Sequence, residues 1–364
     1  MTRVAVVFGG PSPEHDISIL TGLHVVHTLA GTGMDVTALY WTTGGDWYEV
    51  PARLEAQDYV QGPPKGATPV RLVVGTGGGW VEERRKPRPL GVDVALLCCH
   101  GGPGEDGTLQ AALDLAGIRY TGPSSIGAAL AMDKLAMHAV AASLDIPVAE
   151  QAPLSATPPP FAGPYIVKPR FGGSSIGVQA VDDHDTALAL LRTSVHLRDG
   201  AVIEQYLDGW VDLNVAVRTH PEVQCSPIER PLRPEGERIY SFAEKYLGGT
   251  GAGMETAPRE LPAQLPDGVV AAIVRHATLL AEPARIRGIA RIDFLWDGAE
   301  RVAFNEINAI PGALSLYLWQ AAGLSGPQAV GDLVAEALAA PARTFSSAGN
   351  TGEALRSAKR KLAI

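Results

Sequence analysis

The sequence predicts an α/β fold whose N-terminal third is a parallel, doubly wound sheet. Three observations predict it. Short β-rich apolar runs alternate with segments of helical spacing. Two glycine-rich loops follow directly on strand ends, where ligands bind in such sheets. The chain has 364 residues, 46% of them hydrophobic, enough to bury two or three cores.

The elements read in order as follows. Residues 3–8 form an apolar strand ending in Gly9-Gly10-Pro11, and 17–30 carry helical spacing. Residues 36–41 are a second strand. Residues 92–99 are a third, ending in the loop HGGPGEDG. A helix is expected at 108–116 and a short strand at 119–121. Residues 51–91, rich in Pro, Gly and charge, read as a hairpin or an irregular excursion. Residues 126–144 show a single strong helix pattern, and 154–163 a Pro-rich connection. Residues 165–167 and 177–180 read as a hairpin around PRFGGSS, and 201–206 and 211–218 as antiparallel strands. A helix at 269–286 precedes strands at 290–296 and 301–305. The tail 352–364, with Arg356, Lys359, Arg360 and Lys361, reads as a basic amphipathic helix with a solvated face.

Composition narrows the function classes. A net charge of −9 argues against nucleic-acid binding. Charged residues at 19% argue against extensive disorder. The three cysteines have no CxxC spacing, which disfavours both a disulfide framework and a zinc site. No apolar stretch reaches membrane-helix length, and the start MTRVAVVFGG lacks signal-peptide architecture. The reading is a cytoplasmic, reduced protein with no membrane or nucleic-acid partner.

Four motifs carry chemistry. The first pairs RIDF with FNEIN across a short turn, placing Asp293 near Glu306 and Asn308, which share a strand face. That hard oxygen set suits Mg²⁺ with substrate phosphates. The second is IVKPRFGGSSIG, where Lys168 ends a strand before a loop able to wrap a phosphate. The third is HGGPGEDG, and the fourth is PSPEHDIS around Glu14. Each has a bland alternative: a solvated hairpin face, a flexible hairpin tip, or plain helix capping for the last two. His15 and His100 read equally as structural loop residues.

Seven stretches in register resemble the D-alanine–D-alanine ligases of the ATP-grasp superfamily. They are FGGPSPEHDIS, HGGPGEDGTLQAALDLAGIRYTGPS, AMDKLAMHAVAASLDIPV, IVKPRFGGSSIGV, IYSFAEKY, GIARIDF and NEINAIPG. The resemblance implies a Rossmann-like domain over 1–123, a central ATP-grasp domain over 124–205, and a C-terminal ATP-grasp domain with the metal and substrate site over 206–345. The tail 346–364 lies outside it. It also implies ATP, two Mg²⁺ ions with Mn²⁺ as a substitute, small amino-acid substrates, and a homodimer formed through the N-terminal domain. The implied reaction phosphorylates the carboxylate of one amino acid, and the amine of a second then displaces phosphate.

Residue by residue, the resemblance implies that Lys134, Lys168 and Lys245 bind phosphates, with Ser175 beside them. Glu204, Gln205, Tyr206 and Leu207 border the adenine, and Asp212 stands where the family has a ribose-binding Glu. Asp293, Glu306 and Asn308 hold metal, and Arg291 stabilises the transferred group. Glu14 orients the first ammonium, with Ser174 and Tyr246 in its network. Gly312 offers an N–H to the oxyanion, and the loop 238–249 acts as a lid. His100 and Glu105 fall at the substrate.

The chain departs from the family in PGALSLYLW. Family members carry Thr and Ser here that help hold the second substrate's carboxylate. This chain has Ala313 and Leu314, leaving Ser315 and Tyr317 as substrate candidates. Two enzymatic readings follow: a D-alanine–D-alanine ligase for peptidoglycan, or a specialised amino-acid ligase with another donor or acceptor. A nucleotide-binding protein without catalysis is the third reading, disfavoured by the full set of charged residues.

Overall fold

A computed structural model describes residues 1–232 and 258–358. Lys245, Tyr246 and the loop 238–249 lie outside the described residues, as do Lys359, Arg360 and Lys361.

The N-terminal sheet is built from β1 (Arg3–Gly9), β2 (Asp35–Trp41), β3 (Trp47–Val50), β4 (Thr68–Val73), β5 (Gly79–Glu82), β6 (Arg88–Pro89), β7 (Val94–Leu97) and β8 (Arg119–Tyr120), in the order β6-β5-β4-β3-β2-β1-β7-β8. The β2-β1-β7-β8 half is parallel, as expected from the alternating pattern. The β3–β6 half is antiparallel. The Pro/Gly-rich stretch after Trp41 therefore extends the sheet as a meander. Trp41 and Trp47 stack at 4.6 Å across the first turn, and Trp80 lies edge-on to Trp47. Helix α1 (His15–Leu29) packs on β1 so closely that a Cβ on Gly22 would lie 2.3 Å from the Phe8 ring.

The first core is not closed by N-terminal residues alone. Leu314, Leu316, Leu318, Trp319, Val330, Leu333 and Val334 are buried within it. They come from the turn after Gly312 and from two C-terminal helices, Leu316–Ala321 and Gly326–Ala339.

The expected single helix over 126–144 is two. Ser125–Met132 stops at Asp133, whose extended backbone (φ −81°, ψ 100°) breaks the helical path. The Asp133 carboxylate then accepts from the N–H groups of Leu135 and Ala136, capping the helix Lys134–Ser143.

A four-stranded antiparallel sheet follows, ordered β11-β10-β12-β9, from β9 (Gln151–Pro153), β10 (Tyr165–Pro169), β11 (Gln179–Val181) and β12 (Ala201–Gln205). Strand β13 (Val211–Arg218) does not pair with β12, contrary to the sequence reading. It lies in another four-stranded sheet, ordered β14-β13-β17-β18, with β14 (Gln224–Cys225), β17 (Ile289–Trp296) and β18 (Val302–Asn308). The turn Tyr206–Trp210 carries the chain from one sheet to the next. The short pair β15 (Arg230–Pro231) and β16 (Arg259–Glu260) flanks this third sheet. Helix Asp267–Ala281 covers it through Val269, Ile273, Ala277 and Leu280. The tail is helical over Glu353–Ser357.

Candidate active site

The three sheets converge on a cleft of about 1550 Å³, counting its open mouth. Nearly every described candidate lines it, including Glu14, His100, Glu105, Arg291 and Gly312.

Strands β17 and β18 build one wall. Asp293 pairs directly with Glu306 across the ladder, and Asn308 Nδ2 donates to Asp293 Oδ2 at 3.0 Å. Arg291 grips both Asp293 oxygens, Nε at 2.7 Å and Nη2 at 2.8 Å. Burial alone would lower the Arg291 pKa, but Asp293 outweighs it and holds it well above its ordinary value. The expectation from the 293/306/308 spacing is met in geometry. The second strand runs three residues beyond its expected end, so Asn308 is still in the ladder.

A β-bulge explains a residue the sequence reading missed. Asp293 pairs with Glu306 but Phe294 with Phe304, so Asn305 is the extra residue. The bulge turns both Asn305 and Glu306 toward the cleft while Phe304 and Ile307 stay in the core. Asn305 Oδ1 accepts from Lys168 Nζ at 3.0 Å. The motif FNEIN contained this residue, but regular alternation put it on the wrong face.

The lysines face this wall. Lys168, on β10, bonds Glu204 on β12 at 2.7 Å. Burial pulls its pKa down, but Glu204 and Glu306 outweigh that and hold it above the ordinary lysine value. Glu204 also accepts from Gln151 Nε2 at 3.0 Å. Lys134 opens the helix capped by Asp133; its Nζ donates to the Gly172 carbonyl and lies 3.3 Å from Glu306. Arg170 forks onto Asp133 at 2.8 and 2.6 Å, tying the glycine-rich loop to that helix start. Gln205, Tyr206, Leu207 and Asp212 line the same side.

The opposite end is organised around Glu14. Ser174 Oγ donates to its Oε1 in a short hydrogen bond. Glycine is favoured at Gly101, whose φ is 63° and where a Cβ would meet Glu14 Oε2 at 2.4 Å; on the other side a Cβ on Gly173 would lie 3.2 Å from the same oxygen. The two glycine-rich loops thus clasp one carboxylate. Ser174 and Ser175 take the left-handed conformation (φ 53° and 57°). Such backbone costs energy in non-glycine residues and marks functional loops.

Behind Glu14, Glu105 accepts from the Gly101 and Ile310 N–H groups at 2.8 and 3.2 Å. Burial, then the nearby Glu14 charge, pushes its pKa up to about 8. His100 Nε2 pairs with Thr21 Oγ1 at 2.8 Å. Burial lowers the His100 pKa to about 4, so the ring is neutral at pH 7. Thr21 Oγ1 also accepts from the Ala313 N–H at 3.0 Å. This fixes the turn that carries Gly312. In that turn Ala313, Leu314 and Ser315 are all left-handed, at φ 47°, 49° and 50°.

Ser315 is the candidate that the structure does not bring to the cleft. It is 0% exposed and its Oγ has no hydrogen-bond partner. Tyr317 does line the cleft, with its hydroxyl donated to Glu229 at 2.7 Å. Glu229 and Arg259 are further cleft residues that the sequence reading did not single out. No motif marks them, since they lie thirty positions apart, at either end of the chain between β15 and β16.

Fold and cleft together define an ATP-grasp protein of the carboxylate–amine ligase class. Residues 3–123 match the family description "D-ala D-ala ligase N-terminus" and residues 148–335 match "D-ala D-ala ligase C-terminus". The chain is 31% identical to the D-alanine–D-alanine ligase of Bradyrhizobium sp., over 94% of this chain and 96% of that one. It is 33% identical to the enzyme of Kineococcus radiotolerans, over 93% and 97%. The chain belongs to the D-alanine–D-alanine ligase family. In fold it resembles the VanG D-Ala:D-Ser ligase from Enterococcus faecalis, with a TM-score of 0.74 at 24% identity over 92% of this chain and 99% of that one. It also resembles the D-alanine–D-alanine ligase from Coxiella burnetii, with a TM-score of 0.75 at 23% identity over 93% and 94%.

Proposed function

We propose that this chain is an ATP-dependent ligase that joins two amino acids, D-alanine with D-alanine, for peptidoglycan. The observation that carries the reading is the cleft itself. It holds Lys134 and Lys168 beside the Asp293–Glu306–Asn308 wall, and Glu14 with Ser174 at the other end. That is a polyphosphate-and-metal subsite joined to an amino-acid subsite. Full-length relatives at 31–33% identity support the substrate assignment.

The residues fit a divalent metal. Asp293, Glu306 and Asn308 are all-oxygen donors on neighbouring strands. Two carboxylates and a carboxamide are hard donors of the kind that suit Mg²⁺ completed by phosphate oxygens. Two Mg²⁺ ions, with Mn²⁺ as substitute, would there neutralise the transferring phosphate. Lys134 and Lys168 bind the ATP phosphates with Ser175 and, from outside the described residues, Lys245. Glu204, Gln205, Tyr206 and Leu207 border the adenine, and Asp212 takes the ribose.

At the other end Glu14 orients the donor's ammonium, with Ser174 and Tyr246 in its network and His100 and Glu105 behind it. The donor carboxylate attacks the terminal phosphate, giving an acyl phosphate and ADP. The acceptor amine then forms the C–N bond, the C–O bond to phosphate breaks, and the amine loses a proton. Arg291 and the Gly312 N–H meet the charge that develops. Phosphoryl transfer asks mainly for such positioning.

A second reading keeps the activation step but changes the donor or the acceptor. Ala313 and Leu314 offer no hydroxyl, Ser315 is buried, and the Tyr317 hydroxyl is engaged by Glu229. The deciding experiment measures ADP release with Mg²⁺ across D- and L-amino acids, singly and in pairs, with products identified by mass. D-Ala-D-Ala from D-alanine alone supports the first reading. Turnover only with another pair supports the second. No turnover with any pair overturns both. A cytoplasmic location and a homodimer through the N-terminal domain complete the proposal. Among the described residues no helix is long and apolar enough to cross a membrane.

A further inference from the structure

Beyond Arg291 the cleft holds a polar group that neither the phosphate end nor the donor end uses. Glu229, 4% exposed, accepts at Oε2 from Tyr317 Oη at 2.7 Å and from Asn214 Nδ2 at 3.1 Å. Its Oε1 lies 3.0 Å from Nη1 of Arg259. The Arg259 guanidinium also stacks on the Tyr317 ring, 4.5 Å from its centre. Asn214, Glu229, Arg259 and Tyr317 all line the cleft, in company with Arg291 and Gly312. Stacking and pairing hold the guanidinium in place, so little rotamer entropy is lost when it receives a ligand.

An acceptor amino acid brings its α-carboxylate into this end, because its amine must reach the acyl carbon beside Gly312. A carboxylate taken out of water needs a charged or multiply hydrogen-bonding partner. The turn after Gly312 supplies no side-chain hydroxyl for it. Arg291 has Nε and Nη2 committed to Asp293. Glu229 alone would repel it, and Arg259 offsets that charge.

Resting on the ligase reading above, we infer that Arg259, oriented by Glu229 and Tyr317, receives the α-carboxylate of the acceptor amino acid. A guanidinium matches a carboxylate in two-pronged geometry, which an amide cannot reproduce. The acceptor must therefore carry a free carboxylate. Glu229 and Tyr317 are positioning residues that act through Arg259.

The test compares the acceptor amino acid with its primary amide, with donor, ATP and Mg²⁺ held constant, reading dipeptide and dipeptide amide by mass. A parallel assay traps the acyl phosphate with hydroxylamine in place of the acceptor. The wild type is expected to favour the acid over the amide by about 100-fold in kcat/KM. Arg259→Met brings that ratio near one, raises the acceptor KM, and keeps hydroxamate formation. Arg259→Lys, which retains charge without the fork, gives an intermediate ratio. A merely structural arginine would lower acid and amide together. An unchanged ratio in both variants, with hydroxamate still formed, overturns the inference and leaves the ligase reading standing. A wild type that forms neither hydroxamate nor dipeptide with any amino acid overturns the ligase reading, and the inference with it.

Discussion

Two buried titratable groups set opposite limits on the pH range of this site. His100 has its pKa lowered to about 4 by burial, while an unfolded histidine titrates near 6.5. Between those values the unfolded chain binds the extra proton, so stability falls as pH drops from about 6.5 to about 4. Glu105 is the reverse case. Its pKa is raised from 4.5 to about 8, so the folded state binds the extra proton between them. That contribution is fully present below 4.5 and is lost as pH rises through 8. Urea unfolding across pH 4–9 is expected to show both limbs. Glu105→Gln should flatten the alkaline limb and leave the acid limb; an unchanged alkaline slope would contradict the assignment. At the proposed metal site, Glu306→Gln should cut turnover by orders of magnitude while the melting temperature shifts little. Near-normal turnover would remove Glu306 from the metal set.

At the scale of elements, strain and close packing carry the site. Three consecutive left-handed residues, Ala313 to Ser315, hold the Gly312 N–H in place. Each non-glycine residue there costs about 1–2 kcal/mol. Ala313→Gly relieves one such cost and should raise stability by about 0.5–1 kcal/mol after its own entropy loss. The looser turn should lower turnover at the same time, since the proposed oxyanion donor, the Gly312 N–H, would be less preorganised. A variant both less stable and equally active would contradict this account. Against β1, Gly22→Ala should destabilise by about 1–3 kcal/mol, because the new methyl meets Phe8 within van der Waals distance.

Legibility follows the same division. Asp293, Glu306 and Asn308 were readable because strand alternation is regular over two residues. Asn305 was not, because a bulge is a tertiary accommodation with no period of its own. The helix break at Asp133 was hidden inside continuous apolar spacing, although Asp followed by Lys carries a capping signal. Ser315 is a substrate candidate because it stands where the family carries hydroxyls; in the structure it is buried and off the cleft, in a turn of three positive φ angles. Glu229 and Arg259 are thirty positions apart, and only folding brings them to Tyr317.

At the scale of the molecule, the N-terminal sheet and the C-terminal helices form one cooperative body. The sheet's core needs Leu316, Leu318, Trp319, Val330 and Leu333 to exclude water from α1 and β7. Polar ties reinforce the join. Arg287 donates to the Tyr120 and Gly122 carbonyls at 2.8 and 2.5 Å, and Arg343 reaches Asp114 at 3.0 Å. Buried apolar area supplies the main drive for folding, so losing five large side chains from one core removes a large share of it. An excised fragment 1–123, although it contains every strand of the eight-stranded sheet, should therefore lack a cooperative unfolding transition and should bind a hydrophobic dye. Supplying residues 124–364 in trans should restore cooperativity and suppress dye binding. The same coupling bears on catalysis, because the helices that complete the core begin one residue after the Gly312–Ser315 turn. Glu14 and Gly312 thus reach the one cleft from two ends of the chain that fold as one unit. A sharp two-state transition in the isolated fragment would show instead that the sheet is self-sufficient, and that the active site is assembled by docking of finished parts.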